Sequence, residues 1–434
     1  MAHTVPVSEI ASLWRDTTAD RPEFGPLTGD LSCDVAIIGG GYTGLTTARY
    51  LMAAGLSVAV VEAHRIGWGG SGRNGGVVGG KFRISFADMA ARWGIDVARR
   101  MHDLGLEAID HVAETVEALA IPQADYRSTG ALRCAHNAHS LQALEREVAW
   151  LHQTLGDRAC RILSRAEMAE ETGSPDFVGG MLNSHGGIIH PLNYVLGIAR
   201  AVAAHGAALA EATPVTGLRR TTDGVALETA RGTVRAKQVV IATNAYSDLT
   251  PATGAVRTAI IPFRSAMVAT APLSPELNAR LMTADRSYTE TRRMMRWFRK
   301  ADGRVLYGGR GAFGKADSAA AFAALETAMV AQFPELKGVA VTHRWSGLVA
   351  MTMDSLPHLS RLDDRVVFCL GYNGSGVALS SMIGRYAARL VTGQPAEAGL
   401  LTATALRHVP LYPIREPAVR LVAGWYQFLD RIGL

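Results

Sequence analysis

The chain has 434 residues, a formal net charge of +5, 48% hydrophobic and 19% charged residues, which is ordinary for a soluble globular enzyme with room for two or three domains. The charge forms no concentrated basic tract, so nucleic-acid binding is not indicated and only a mild attraction for anionic ligands remains. Cys33, Cys134, Cys160 and Cys369 stand far apart without a CxxC pair, which argues against a disulfide frame or a zinc site and favours a reducing compartment.

Within the first 30 residues there is no apolar signal-peptide core, and Trp14, Pro22, Pro26 and Gly29 predict a surface-hugging lead-in without regular structure. From Asp34 the sequence DVAIIGGGYTG, ending at Gly44, predicts a strand, a tight glycine turn and the start of a helix. A second strand, Ser57 to Val61, runs into Glu62. Gly39 permits the sharp turn, Gly41 lets the backbone approach a pyrophosphate, and Gly44 lets the helix pack tightly so that its N-terminal N–H groups face the phosphates. Ala48 and Gly55 fall where a small residue should face the strands and where the helix should stop. Glu62 can accept hydrogen bonds from a ribose diol, and its charge argues against a 2′-phosphate and hence against NADP. The unit reads as a dinucleotide site rather than an ordinary glycine turn. It does not by itself choose between NAD and FAD.

Next comes a glycine-dense loop, Gly67 to Gly76, followed by a helical pattern from Phe86 to Ala120, a strand from Gly130 to Cys134 and a helix from Ser140 to Leu155. His190–Pro191 starts a helix running to about His205. The apolar stretch Leu192 to Ala210 carries Arg200 and His205 and reads as a packed helix, not a membrane span. Short strands are expected at Val215–Arg220, Val225–Thr229, Thr233–Arg235 and Gln238–Ala242. The segment Thr258 to Trp345 is strand-rich, with one helix from Ala316 to Phe333. An apolar strand, Arg365–Leu370, then enters the cluster Gly371 to Gly376 and a helix to Leu390. The amphipathic piece Val419 to Leu434 reads as a docked terminal helix rather than a membrane contact. A cytoplasmic protein without an integral membrane segment is expected.

Two further glycine clusters match GxGxxG by letter. Gly309 to Gly314 could be an NAD site, but no acid ends the next strand and no helix begins at Gly314, so a turn packed near a ligand is the better reading. Gly70 to Gly75 reads as a loop whose backbone lies flat against something planar or phosphorylated. Gly371 to Gly376 puts backbone N–H groups at a helix start, where they stabilise an anion such as a reduced isoalloxazine. The competing reading is a tight strand–helix turn. His185 and His190 are not spaced for one helical face and show no nearby carboxylate, so no metal site is expected.

These segments occur in a telling order: the fingerprint, Ser71–Gly76 (SGRNGG), His190–Asn193 (HPLN), Ala242–Tyr246 (ATNAY), Tyr307–Arg310 (YGGR), Trp345–Gly347 with Asp354–Pro357, and Gly371–Gly376. Together they resemble the D-amino-acid oxidase superfamily of FAD-dependent enzymes, which includes glycine and sarcosine oxidases. Within it the chain is most similar to the γ-glutamylputrescine oxidoreductase branch, and the resemblance runs from about Trp14 to the C-terminus.

The resemblance implies an α/β fold: a Rossmann-like FAD-binding domain (residues 1–85, 160–255 and 346–434) interleaved with a mixed, largely antiparallel-sheet substrate domain (86–159 and 256–345), as in glycine oxidase. Adenosine would lie at Gly39, Gly41, Gly44, Glu62 and Ala63, with Val215 meeting the adenine by its backbone. The pyrophosphate would lie near Gly41, Tyr42, Thr43, Gly44 and Ser71. The flavin would be bracketed by Gly72, Arg73, Asn74 and Gly75 on one side and Gly371, Asn373, Gly374, Ser375 and Gly376 on the other, with Ala242 and Thr243 also at the cofactor. Relatives that attach flavin covalently use a cysteine before a segment matching Thr352–Asp354. Here Trp345 to Met351 contains none, so FAD is expected to be non-covalent and Cys369 to be core.

The implied chemistry is oxidation of a C–N bond in an amine, N-substituted amino acid or γ-glutamyl amine. Hydride passes to flavin N5, the imine hydrolyses, and O2 reoxidises the flavin to give H2O2. A dehydrogenase passing electrons to a quinone or carrier is the alternative, and a non-catalytic FAD-binding module a second one. No acid–base residue is required. Substrate-facing candidates are Arg310, Tyr307, Trp345, Tyr372, Arg73 and His185, with Arg310 the best carboxylate clamp through paired hydrogen bonds. Strand alternation keeps Tyr307 and Arg310 from facing the same side unless the glycines bend the strand. The aromatic residues at 294–298 and 345 read as packing. Oligomeric state is left open by the sequence.

Overall fold

The computed structural model describes residues 12–18, 20–310 and 318–417, together with positions 419, 421, 424 and 425. The side chain of Arg310, the segment Gly311 to Gly314 and the rest of Val419 to Leu434 lie outside the described residues.

Five parallel strands form the heart of the first sheet, in the spatial order Val366–Leu370, Gly232–Ile241, Leu31–Ile38, Val58–Val61 and Ala208–Ala210. His358–Asp363 adds antiparallel at one edge, and the ribbon Val215–Arg220 with Val225–Thr229 branches from Gly232–Ile241. Alternation explains why these strands are apolar throughout. Val35, Ile37, Val58 and Val60 face one core, while Ala36, Ile38, Ala59 and Val61 face another, so both sides of the sheet are covered. The helices Tyr42–Ala53, Pro191–Ala204 and Gly376–Val391 cover the first face.

The second sheet has eight strands in the order Val341–Met351, Ile261–Thr270, Arg304–Arg310, Arg296–Ala301, Ser287–Glu290, Ala131–Ala135, Gly179–Asn183 and Cys160–Ser164. Only Ser287–Glu290 against Ala131–Ala135 is parallel, so the sheet is mixed and mainly antiparallel. Its core includes Phe298, Tyr307 and Phe333.

Several expected boundaries move. Cys160–Ser164 and Gly179–Asn183 pair in the second sheet, so the stretch 160–183 does not go with the nucleotide-side strands. Val341–Met351 is one continuous strand across the expected division at 345/346. The helical stretch from Phe86 breaks at Gly94, whose φ of 91° no β-carbon residue adopts comfortably, into Phe86–Trp93 and Ile95–Ala118. Residues Ala98 to Val112 of the second helix pack into the first core beside Met382 and Tyr386, not into the second sheet. The two strands expected at Thr233–Arg235 and Gln238–Ala242 are one, Gly232–Ile241, because Ala236 and Lys237 supply no turn chemistry. The lead-in holds a short helix, Leu13–Asp16, with Trp14 only 1% exposed.

Candidate functional site

The turn after Leu31–Ile38 is built from glycines that each lack room for a side chain. Gly39 has φ 113°, and a β-carbon on Gly44 would lie 2.0 Å from the Gly39 carbonyl oxygen. Gly41 is the N-cap of the Tyr42–Ala53 helix and offers no capping side chain. The neighbouring loop meets this helix start directly: Tyr42 N–H donates to Ser71 Oγ at 3.1 Å, and Tyr42 OH donates to the carbonyls of Ser71 (2.8 Å) and Pro191 (3.0 Å).

A second uncapped helix start stands beside the first. Gly376–Val391 follows Ser375, which makes no side-chain cap, and the turn before it uses positive φ at Gly371 (80°), Asn373 (53°) and Gly374 (97°). Gly384 lets the two helices touch, since a β-carbon there would lie 2.7 Å from Thr46 Cβ and 2.9 Å from the Thr43 carbonyl oxygen. Thr43 Oγ1 and Tyr372 OH share a 2.6 Å hydrogen bond between the two turns. Asn373 Oδ1 accepts from Thr352 N–H at 2.9 Å, and Gly371 N–H donates to Asn244 Oδ1 at 2.9 Å. Two helix N-termini with unsatisfied N–H groups thus open on one space, a favourable place for an anion.

That space is a cavity of about 850 Å³, in the upper part of the range usual for small-molecule sites. Lining it are Gly39, Gly41, Tyr42, Thr43, Glu62, Ala63, Ser71, Arg73, Asn74, Gly75, Val215, Ala242, Thr243, Asn373, Gly374, Ser375 and Gly376. Gly44, Gly72 and Gly371 do not line it. They let the walls pack, as a β-carbon on Gly72 would meet the Gly67 carbonyl at 2.2 Å and one on Gly371 would meet Thr352 at 2.2 Å. Glu62 accepts N–H bonds from Gly40 (2.8 Å) and His64 (2.9 Å). Burial pushes its carboxyl above the usual range against the pull of those two donors. Each carboxylate oxygen keeps a second lone pair for a ligand hydroxyl.

Of the substrate-facing candidates, Arg73, Tyr372 and His185 line the cavity. Arg73 donates to the carbonyls of Trp68 (2.7 Å) and Ser346 (3.2 Å), so its guanidinium also braces the wall. Tyr307 is overturned as a candidate: fully buried in the second core, it donates to Gln332 Oε1 at 2.6 Å. Trp345 is overturned too, being fully buried with its indole N–H on the Arg73 carbonyl at 2.9 Å. The backbone of Arg310 ends its strand opposite Ser265.

Some wall residues carried no readable signal. Trp68 stacks on His64 at 3.7 Å, and its buried Nε1 has no hydrogen-bond partner among the described residues. Trp297, grouped above with packing aromatics, lines the cavity opposite Gly75, whereas its neighbour Phe298 is core. His185 does have a carboxylate nearby: Asp157 Oδ1 lies 3.7 Å from its Nε2, while Asp157 Oδ2 pairs with His102 Nε2 at 3.0 Å. Arg133 grips both oxygens of Glu147 at 2.7 and 2.6 Å, and buried Glu290 pairs with Arg292 at 2.9 Å. These groups line the same cavity, except that the Glu290 side chain is fully buried and only Arg292 of that pair is exposed. Among the described residues no three His, Cys, Asp or Glu side chains gather to hold a metal ion, and no helix is long and apolar enough to cross a membrane.

The site fits FAD on its own chemistry. A glycine cradle and two open helix starts suit a pyrophosphate and an anionic flavin, an acid ends the second strand of the unit, and an unpartnered indole N–H lies in the wall.

Comparison with known proteins agrees. The family model described as FAD dependent oxidoreductase (DAO) matches residues 34–390. A γ-glutamylputrescine oxidoreductase of Escherichia coli is 32% identical over 420 residues, covering 95% of this chain and 96% of the relative. A glycine oxidase of Geobacillus kaustophilus is 24% identical over 400 residues, 87% of this chain and 97% of the relative. The crystal structure of glycine oxidase from that organism superposes with a TM-score of 0.74 at 23% identity, covering 87% of this chain and all of the other. The chain belongs to the DAO family of FAD-dependent oxidoreductases.

Proposed function

We propose that the protein oxidises a C–N bond of a small amine whose remaining part is polar and charged, a γ-glutamyl amine being the best match, with O2 as the electron acceptor. The observation that carries this reading is the wall opposite the nucleotide turn, where Arg133–Glu147, Asp157 between His102 and His185, and Arg292 offer both charges to one ligand. Such a wall suits a zwitterionic head group better than an aliphatic chain. The name of the Escherichia coli relative supports the same class.

Bound flavin supplies the two-electron acceptor for such an oxidation. The protein's part is to hold and orient. Glu62 would take the ribose, the Tyr42 and Gly376 helix starts the anionic parts of the cofactor, and Arg73–Gly75 with Asn373–Gly376 the flavin ring. Arg310, at the end of its strand, would add a carboxylate clamp.

FAD would be held without a covalent bond. The strand Val341–Met351 has no cysteine, Cys369 lies in the core, and Cys160 lines the cavity with its thiol pushed up to about 12 by burial, which makes it a poor nucleophile. Mixing the purified holoprotein anaerobically with γ-glutamyl amines, N-methyl amino acids, D-amino acids and plain amines should bleach the flavin fastest with the first class. Re-admitting air should then return the yellow colour with stoichiometric H2O2. A flavin bleached by substrate but reoxidised only by a quinone or carrier would replace oxidase with dehydrogenase.

A further inference from the structure

The Arg73–Gly76 loop is held from behind by three side chains that take its carbonyls. Trp345 Nε1 donates to Arg73 O at 2.9 Å, Trp14 Nε1 to Asn74 O at 2.8 Å, and Arg299 Nη1 to Gly76 O at 2.7 Å. Two of them, Trp345 and Arg299, come from the second sheet. The third belongs to the short lead-in segment Ser12–Thr18, nearly 60 residues earlier in the chain.

That segment is not loosely attached. Trp14 packs edge-on against His190 (5.0 Å) and Trp345 (6.5 Å), with the Arg299 guanidinium 5.4 Å from its ring. Thr17 Oγ1 bonds His190 Nε2 at 2.9 Å, and Asp16 Oδ2 pairs with His343 Nε2 at 3.0 Å. The strap therefore ties the nucleotide-side helix Pro191–Ala204, the second sheet and the loop together.

In a trans peptide the carbonyl and the following N–H point in opposite directions. Drawing the Asn74 carbonyl back to Trp14 turns the Gly75 N–H the other way. Gly75 lines the cavity, and no acceptor among the described residues takes its N–H. Asn74 itself is immobilised, its side chain donating to Gly70 O (3.1 Å) and Ser71 O (3.0 Å) and accepting from Gly76 N–H (2.7 Å).

We infer that Trp14 is a positioning residue: the lead-in strap locks the Asn74–Gly75 peptide so that the Gly75 N–H is presented to the flavin ring. This rests on the proposed function and its placement of the flavin against Arg73–Gly75; wild-type anaerobic bleaching tests that function independently of any variant.

The test compares wild type with Trp14→Phe, which keeps an aromatic ring and loses the donor, and with Asp16→Asn, which weakens the strap's contact with His343. Three quantities are read: FAD Kd by fluorescence titration of the apoprotein, the visible absorption and midpoint potential of the bound flavin, and apoprotein Tm. Loss of one hydrogen bond should weaken FAD binding roughly two- to tenfold and shift the flavin bands and potential in Trp14→Phe. Asp16→Asn should change the same readouts in the same direction by less. A Trp14→Phe protein with wild-type Kd, spectrum and potential overturns the inference, even if its Tm falls. Should that variant not fold, Asp16→Asn decides alone: a weaker Kd with shifted bands supports the strap, and unchanged values overturn it.

Discussion

At the end of the cavity near Gly39, Gly41 and Glu62 the wall is mostly backbone, with close helix–strand packing behind it. At the other end, near Arg133, Asp157 and Arg292, the wall is charged side chains carried by strands, loops and helices far apart in the chain. The first construction tolerates almost no added volume, and the second tolerates changes of shape but not of charge. Damage at the nucleotide end should therefore appear as lost fold and lost cofactor, and damage at the charged end as lost substrate recognition with cofactor retained.

The sharpest break is Gly44→Val. Its β-carbon would lie 2.0 Å from the Gly39 carbonyl oxygen, which is backbone and has nowhere to go. A loss of about 3 kcal/mol of stability, the upper end of the usual cost of overpacking, is expected, seen as a large drop in apoprotein Tm and a colourless preparation. Retention of stoichiometric FAD by this variant would show that the turn is not the cofactor cradle. A milder blow at the same end is Glu62→Ala, which removes a charged acceptor worth roughly 1.5–3 kcal/mol. FAD binding should weaken about 10- to 100-fold by fluorescence titration, with the bound flavin otherwise normal.

The same contrast explains what the sequence could and could not disclose. Gly39, Gly41, Gly44 and Glu62 were legible because local backbone geometry forces residue types at fixed spacing, and the turn at Gly371–Gly376 for the same reason. Both sheets were legible as strand-rich regions, but the assignment of Cys160–Ser164 and Gly179–Asn183 was not, since strand pairing between distant segments leaves no local mark. Tyr307 and Trp345 misled because a strand that borders a site has two faces, and these residues point away from it. Trp297 misled in the other direction. Gly308 and Gly75 make the room that lets its ring reach the cavity, a relation between three separate segments. Asp157 and His185 are 28 positions apart in sequence and 3.7 Å apart in space.

At the charged end, Arg133→Met should leave FAD Kd within about twofold of wild type while raising substrate KM roughly tenfold, the order expected for losing one charge-assisted contact. Steady-state kinetics beside a flavin titration measures both. A parallel loss of FAD would erase the proposed division of labour between the two ends.

One helix borders the cavity on one side and buries a histidine on the other, and acid tests the buried side. The helix Ile95–Ala118 lines the cavity through His102, Gly105, Leu106 and Ile109, yet carries His111 on its other side, buried in the first core. His111 Nε2 bonds Tyr50 OH at 3.1 Å, and its Nδ1 has no partner among the described residues. Burial, with Arg385 and Arg49 nearby, brings its pKa down to about 3, and burial beside Arg299 brings that of His190 down to about 4. Both rings stay neutral in the folded protein at pH values where the unfolded chain, with a histidine pKa of about 6.5, takes up protons. Their contribution is fully present above pH 6.5 and declines as the pH falls, by up to about 1.4 kcal/mol per pH unit for each histidine, until the folded pKa is reached. Urea unfolding of the apoprotein between pH 7.5 and 4.5 should show this loss, and His111→Gln should lessen it by up to about 1.4 kcal/mol per pH unit. Because both rings stay neutral in the folded protein through this window, neither histidine should give FAD Kd or substrate KM a pH dependence there. A stability slope unchanged by His111→Gln would show that the buried neutral ring carries no share of the acid sensitivity.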